Sequence, residues 1–289
     1  MGTIWELDFY SRPILDENQK KLWEVVICES PLVVGRSLDT IFKYSEFCSS
    51  QTVNSLWLKQ AIEKAITQAG ETPQKIRFFR RQMNNMIVKA CEDAGIPAAP
   101  SRRTYTLNHC LAQRMTEFYP TQPGYDIKAA QSGSVAYPPL NAIALPDAVR
   151  GDKADKWAFV SLEAEAFSEM NEWEIGFGES FPLSLADVNP QMRIPGFIIF
   201  SQRALPLAGW LSGLEIGYLK VEDKPRPILR LETGMSDSWI LASFTDAQTL
   251  AEANGFETAK QKAQQVHFLA VQSSPETESF AGFWLLKEP

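Results

Sequence analysis

The sequence predicts an α/β (α+β) protein in two parts: a mixed sheet with flanking helices, then a second mixture of strands and helices. Three observations carry this. The chain opens with three segments rich in aromatic and β-branched residues, and from residue 52 onward helical and strand-like segments alternate. A proline- and glycine-rich stretch then interrupts the pattern near the middle. A length of 289 residues, at ~150 per domain, also favours two domains.

The first two segments, "TIWELDFYSR" and "KLWEVVICE", flank the turn-forming "PILDENQK" and read as a hairpin. "TIFKYSEFC" alternates well enough to form a third strand. "TVNSLWLKQAIEKAITQAG" is a helix whose apolar stripe is Val53, Leu56, Trp57, Ala61, Ile62 and Ile66, stopped by Gly70. "KIRFF" is a short strand in which Phe78 or Phe79 must enter the core. "RQMNNMIVKACEDAG" is a helix with Met83, Met86, Ile87 and Ala90 inward and Gly95 as its stop. "IPAAPSRRTYTL" holds a further strand, and Asn108 is read as the cap of a helix "CLAQRMTEFY".

Three meandering strands followed by helix, strand, helix, strand, helix is the ribonuclease H-like succession. The strand–helix–strand crossovers make parallel pairs. We set this domain at residues 1–118, a surface connection at 119–155, and a second α+β domain at 156–289, beginning with "KWAFVSLEAEAF" and closing with "HFLAVQ" and "SFAGFWLLKEP".

With 45% hydrophobic residues there is enough apolar surface to offset chain entropy, so a folded protein is expected. No run approaches the ~20 apolar residues of a membrane-spanning helix, and the start resembles neither a secretory signal nor a transit peptide. The expected compartment is the cytoplasm. Cys28, Cys48, Cys91 and Cys110 lack metal-site spacing and read as small buried hydrophobes, so no metal or cofactor is expected. Phosphate-cradling loops and the hydrolase elbow are absent, and His109 and His267 are the only imidazoles.

Charge is unevenly placed. The chain carries a net −7, yet between Lys75 and Arg114 eight cations face only Glu92 and Asp93, leaving +6 there and −13 elsewhere. The cations are Lys75, Arg77, Arg80, Arg81, Lys89, Arg102, Arg103 and Arg114. Arg80 and Arg81 fall where a strand becomes a helix, and Arg102 and Arg103 precede the next helix, where open α/β sheets bind ligands. Arginine suits phosphate through its planar paired donors. Asn84 and Asn85 add amides near a helix N-terminus, and Tyr105 or Phe79 offers a ring for a base. The pattern fits single-stranded RNA better than a small anion. A two-metal nuclease would use Asp8 of the first strand and Glu63 of the first helix. At the end of the parallel strand, however, Arg80 and Arg81 stand where a carboxylate is needed.

Three blocks, "GTIWELDFYSRPILDENQKKLWEVVICE", "IRFFRRQMNNMI" with "PSRRTY", and "GFWLL", resemble the Tab/Atab family of RNA-binding proteins over nearly the whole chain. The resemblance implies a non-catalytic factor that binds A/U-rich leader RNA and promotes translation of photosystem messages, chiefly for photosystem I. It implies the ribosome or thylakoid-associated translation machinery as further partners. The absence of an extension before the first block suggests a cyanobacterial member. The family's C-terminal Trp-Leu-Leu falls on Trp284, Leu285 and Leu286, where the tryptophan either stacks on a base or anchors a core.

Overall fold

The computed structural model describes residues 2–131, 141–151, 155–223 and 225–289. The chain forms two compact units, Met1–Pro31 with Ser37–Pro138, and Leu32–Arg36 with Pro139–Pro289. The first carries a net charge of +1 and the second −8.

The first unit contains β1 (Ile4–Leu15), β2 (Lys21–Glu29), β3 (Lys43–Cys48), α1 (Ser55–Ala69), β4 (Lys75–Phe78), α2 (Asn84–Asp93), β5 (Ala98–Pro100), α3 (Tyr105–Gln113) and the short α4 (Ile127–Ala130). The sheet order is β3-β2-β1-β4-β5. β1, β2 and β3 pair antiparallel, while β4 and β5 run parallel to β1. The succession of elements is the one the sequence predicts.

β1 lies in the middle and is buried on both faces. Trp5, Leu7 and Phe9 fill one face, where Phe9 stacks on Trp57 of α1 at 5.4 Å between ring centroids. Period-2 alternation sends Glu6 and Asp8 to the other face, under α3. α1 begins at Asn54, whose side chain accepts from Trp57 N–H at 2.8 Å, and ends at Gly70 with φ 74°, a left-handed stop. Its buried stripe differs from the predicted one by a rotation. Leu58, Ala61, Ile62 and Ala65 face inward, and Leu56 is 63% exposed. In α2, Met83 at the boundary, Ile87 and Ala90 are buried as predicted.

α3 corrects the cap assignment. It starts at Tyr105 after Thr104, so Asn108 lies within the helix. The cap comes from elsewhere: the Glu6 carboxylate of β1 accepts the Leu107 N–H at 2.7 Å. The start of α3 is therefore fixed by tertiary structure, and the helix continues through a π turn at Arg114–Phe118.

The second unit holds two sheets. One comprises β6 (Ile143–Ala144), β10 (Ile216–Glu222), β11 (Ile228–Thr233) and β12 (Asp237–Ser243), in the order β10-β11-β12-β6. The other comprises β7 (Lys156–Glu163), β8 (Ile175–Glu179), β9 (Arg193–Phe200), β13 (Val266–Gln272) and β14 (Phe280–Lys287), in the order β7-β9-β13-β14-β8. α5 (Ala204–Ser212) and α6 (Ala247–Lys262) complete it. Its core includes Phe197, Leu207, Leu231, Leu269 and Trp284.

A buried polar clasp joins these sheets at Leu219 of β10. His267 Nε2 accepts the Leu219 N–H at 2.8 Å, and Lys260 Nζ donates to its carbonyl at 2.9 Å. Nδ1 therefore carries the imidazole proton and donates to the Gln265 carbonyl at 2.9 Å. Burial, reinforced by Lys260, pushes the His267 pKa well below its ordinary value and keeps it neutral. Lys260 is in turn paired with Glu257 and, at 2.7 Å, with Glu288. Among the described residues no helix is long and apolar enough to cross a membrane.

Candidate nucleic-acid interface

β1 is longer than its parallel neighbour. β4 pairs with it only from Ile4 to Glu6, so Asp8, Tyr10 and Arg12 extend past the carboxyl end of β4. The chain leaving β4 places Phe79, Arg80 and Arg81 beside that extension. The chain leaving β5 is tied alongside by Ser101 N–H donating to the Phe78 carbonyl at 2.8 Å. The two arginine pairs recognised in the sequence thus emerge at adjacent strand ends, the position where open α/β sheets place ligands.

Arg80 meets Asp8 side-on, through two bonds from one edge of its guanidinium. Its Nε bonds Oδ1, and its Nη2 bonds Oδ2 at 3.0 Å. Arg12 Nη1 reaches Asp8 Oδ2 at 2.9 Å, and Arg12 Nε reaches Glu24 Oε2 of β2 at 3.0 Å. Glu24 also receives Arg114 from the π turn and the Tyr119 hydroxyl, the latter at 2.5 Å. Three arginines thus hold two carboxylates, leaving one surplus positive charge. The outer arginines also lie against rings: Arg80 is 4.0 Å from the centre of Tyr10 and 4.9 Å from Phe79, and Arg114 is 4.2 Å from Phe118. Asp8, Glu24 and Arg12 are buried, whereas Arg80 and Arg114 are partly open to solvent.

Beside this network, Glu6 lies under the start of α3. It pairs in register with Arg77, and both Arg77 and Arg103 are buried near it. Burial pushes the Glu6 pKa up to about 7, outweighing the Leu107 N–H, Ser30 and the two arginines, which pull it down. The folded state therefore binds a proton on Glu6 that the unfolded chain, with the ordinary value of 4.5, releases earlier. This contribution to stability is fully present below 4.5 and is lost as pH rises to about 7. Glu6→Gln, which keeps an acceptor for Leu107, should flatten the fall in melting temperature between those pH values. An unchanged slope would show that another group titrates.

The sequence-predicted residues thus separate into classes. Arg77 and Arg103, both expected from the sequence to contact RNA, are buried. Arg80 and Arg114 are half-buried members of the ion-pair network. Lys75, Arg81, Asn84, Arg102 and Tyr105 are half-buried, and Asn85 is exposed, its side chain accepting from Asn84 at 3.1 Å. Trp284, Leu285 and Leu286 are buried in the second unit, which places the tryptophan in the core. Sequence reasoning missed Tyr10, Arg12, Glu24, Phe118 and Tyr119. The even-numbered polar positions of β1 were the available signal for Tyr10 and Arg12.

The nuclease residues are otherwise engaged. Both oxygens of Asp8 are held by arginine, and Glu63 lies on the outer side of α1, 3.1 Å from Lys59. Among the described residues no group of three or more His, Cys, Asp or Glu is placed to hold a metal. All four cysteines are free and buried, as predicted.

The family model described as "RNA-binding protein Tab2/Atab2 N terminal" matches residues 4–114. The one described as "RNA-binding protein Tab2/Atab2, C-terminal domain" matches residues 132–287. The chain belongs to the Tab2/Atab2 family. Among Tab2/Atab2 relatives, the "Protein TAB2 homolog, chloroplastic" of Arabidopsis thaliana is 36% identical over 291 residues, spanning 98% of this chain and 74% of that protein. The protein of the same name from Zea mays is 35% identical over 289 residues, spanning 98% of this chain and 70% of its own length. The network at the end of β1 lies within the matched N-terminal region, apart from Phe118 and Tyr119.

Proposed function

We propose that this chain binds single-stranded RNA along the carboxyl ends of β1, β4 and β5, without catalysing a reaction. We further propose that it promotes translation of photosystem messages, chiefly of photosystem I, through A/U-rich leaders. The observation that carries the RNA reading is the pair of ring-backed arginines, Arg80 where the chain leaves β4 and Arg114 on the π turn, linked through Asp8, Arg12 and Glu24. Asp8 and Glu24 fix the guanidinium planes, so their order is built into the fold before RNA arrives. Phosphate is met by Arg81 and Arg102 at the rim, and flanking bases by the half-buried rings of Phe79, Tyr105 and Phe118. The ribonuclease H-like reading of the first unit rests on its strand order and two parallel crossovers. With Asp8 occupied by arginine, the proposed role is binding rather than cleavage.

The test is salt-dependent binding of an A/U-rich oligoribonucleotide to the full chain and to Arg81→Gln and Arg102→Gln. Each lost phosphate contact should lower the slope of log affinity against log salt by ~0.7. Duplex DNA should compete poorly. Unchanged slopes in both variants would remove this surface from RNA binding.

A further inference from the structure

The second unit offers a different surface. β8 is the outer strand of its sheet, and among the described residues its far edge carries no strand. Natural edge strands are usually blunted by lysine, proline or a bulge. β8 reads Ile-Gly-Phe-Gly-Glu and has neither lysine nor proline. Both glycines are required by packing against β14. A Cβ at Gly176 would lie 2.9 Å from the Ala281 carbonyl oxygen, and one at Gly178 would lie 2.2 Å from that of Phe283. Two of the five positions therefore carry no side chain that could shield the backbone.

Between the glycines, Phe177 is 36% exposed. Its ring lies 3.7 Å from where a Cβ on Gly209 of α5 would be. Leu205, one turn earlier on the same helix face, is 62% exposed. The edge, unpaired among the described residues, and this apolar step lie side by side.

The electrostatic setting selects the occupant. The chain on either side of β8, from Ala164 to Met192, holds six acids and no Lys or Arg. Glu172 and Glu174, both exposed, immediately precede β8. Lys287 of β14 lies three residues beyond the pairing of Trp284 with Glu179. RNA would be repelled by this surface. A second copy pairing edge to edge would bring its own acids against these. A polypeptide with cationic side chains meets both the open main-chain groups and the carboxylates.

We infer that β8 docks an extended, lysine- or arginine-rich segment of a partner protein. The segment adds as a further strand and seats an apolar side chain on Phe177 and Leu205. This surface is separate from the RNA interface of the first unit and does not depend on it.

The test titrates the full chain with a synthetic peptide of alternating lysine and valine. A lysine homopolymer and a glutamate–valine peptide serve as comparisons. Binding is read by anisotropy, and position by amide hydrogen exchange. The lysine–valine peptide should bind best, weaken with salt, and protect amides of 175–179. Phe177→Lys should weaken it roughly tenfold or more, as loss of a central anchor does. Leu205→Lys, at a freely exposed helix position, should weaken it in the same direction with the melting temperature unchanged. RNA affinity should stay the same in both variants. The inference is overturned if the homopolymer binds as tightly, if protection falls elsewhere, or if Leu205→Lys binds normally. It is equally overturned if the chain self-associates through this edge and Phe177→Lys abolishes that association.

Discussion

Trp284→Ala is expected to lower stability by ~3–5 kcal/mol, the cost of an aromatic-sized cavity in a packed interior. The residue is 2% exposed, on β14 between β13 and β8, and belongs to the same core as Leu207 and Leu286. Its ring is fitted closely: a Cβ on Gly282 would lie 2.4 Å from it. Denaturant or thermal unfolding measures the loss. RNA affinity of the fraction that remains folded should be unchanged, because the ring is enclosed. A variant that melts normally but loses RNA affinity would place the ring on a base and refute its placement in the core.

Arg80→Ala is expected to cost roughly 3 kcal/mol, the lower end for breaking a buried ion pair, because Arg12 still serves Asp8. A sequence view of Arg80 as an exposed cation predicts little loss, so this result separates the two readings. Arg80→Lys should recover only part of the stability, since lysine supplies charge but neither the paired bonds to Asp8 nor the guanidinium over the Tyr10 ring. In a double-mutant cycle with Asp8→Asn, the losses should be markedly non-additive. Additive losses would show that Arg80 and Asp8 do not hold one another in solution. Because RNA affinity should fall as well, it must be measured well below the melting transition of each variant.

How far the sequence could be read follows from the range of the interactions. The first unit was legible because its segments show local periodicity: alternation in β1 and β2, and helical spacing in α1 stopped by Gly70. The start of α3 was not, because its cap, Glu6, lies 101 positions away. The arginine cluster was visible as composition. Its meaning was hidden, since Arg80 and Asp8 are separated by 72 positions and Arg114 and Glu24 by 90. Burial of Arg77 and Arg103 likewise depends on what covers them. In the second unit, four of the seven neighbouring strand pairs are not consecutive, β9-β13 and β14-β8 among them, and Lys260 breaks the apolar face of α6 while being wholly buried. Its individual segments could be guessed, but not their assembly.

The interior position of β14 also bears on biosynthesis. A strand near the end of the chain fills the gap between β13 and β8, so during synthesis the second unit stays open until the last of its strands has emerged. All five strands of the first-unit sheet are made by residue 100. Premature termination anywhere between the end of β13 and Phe280 would therefore yield a product with a complete N-terminal sheet. It would also expose the faces of Phe268 and Leu269, a substrate for proteolytic quality control rather than a partly active protein.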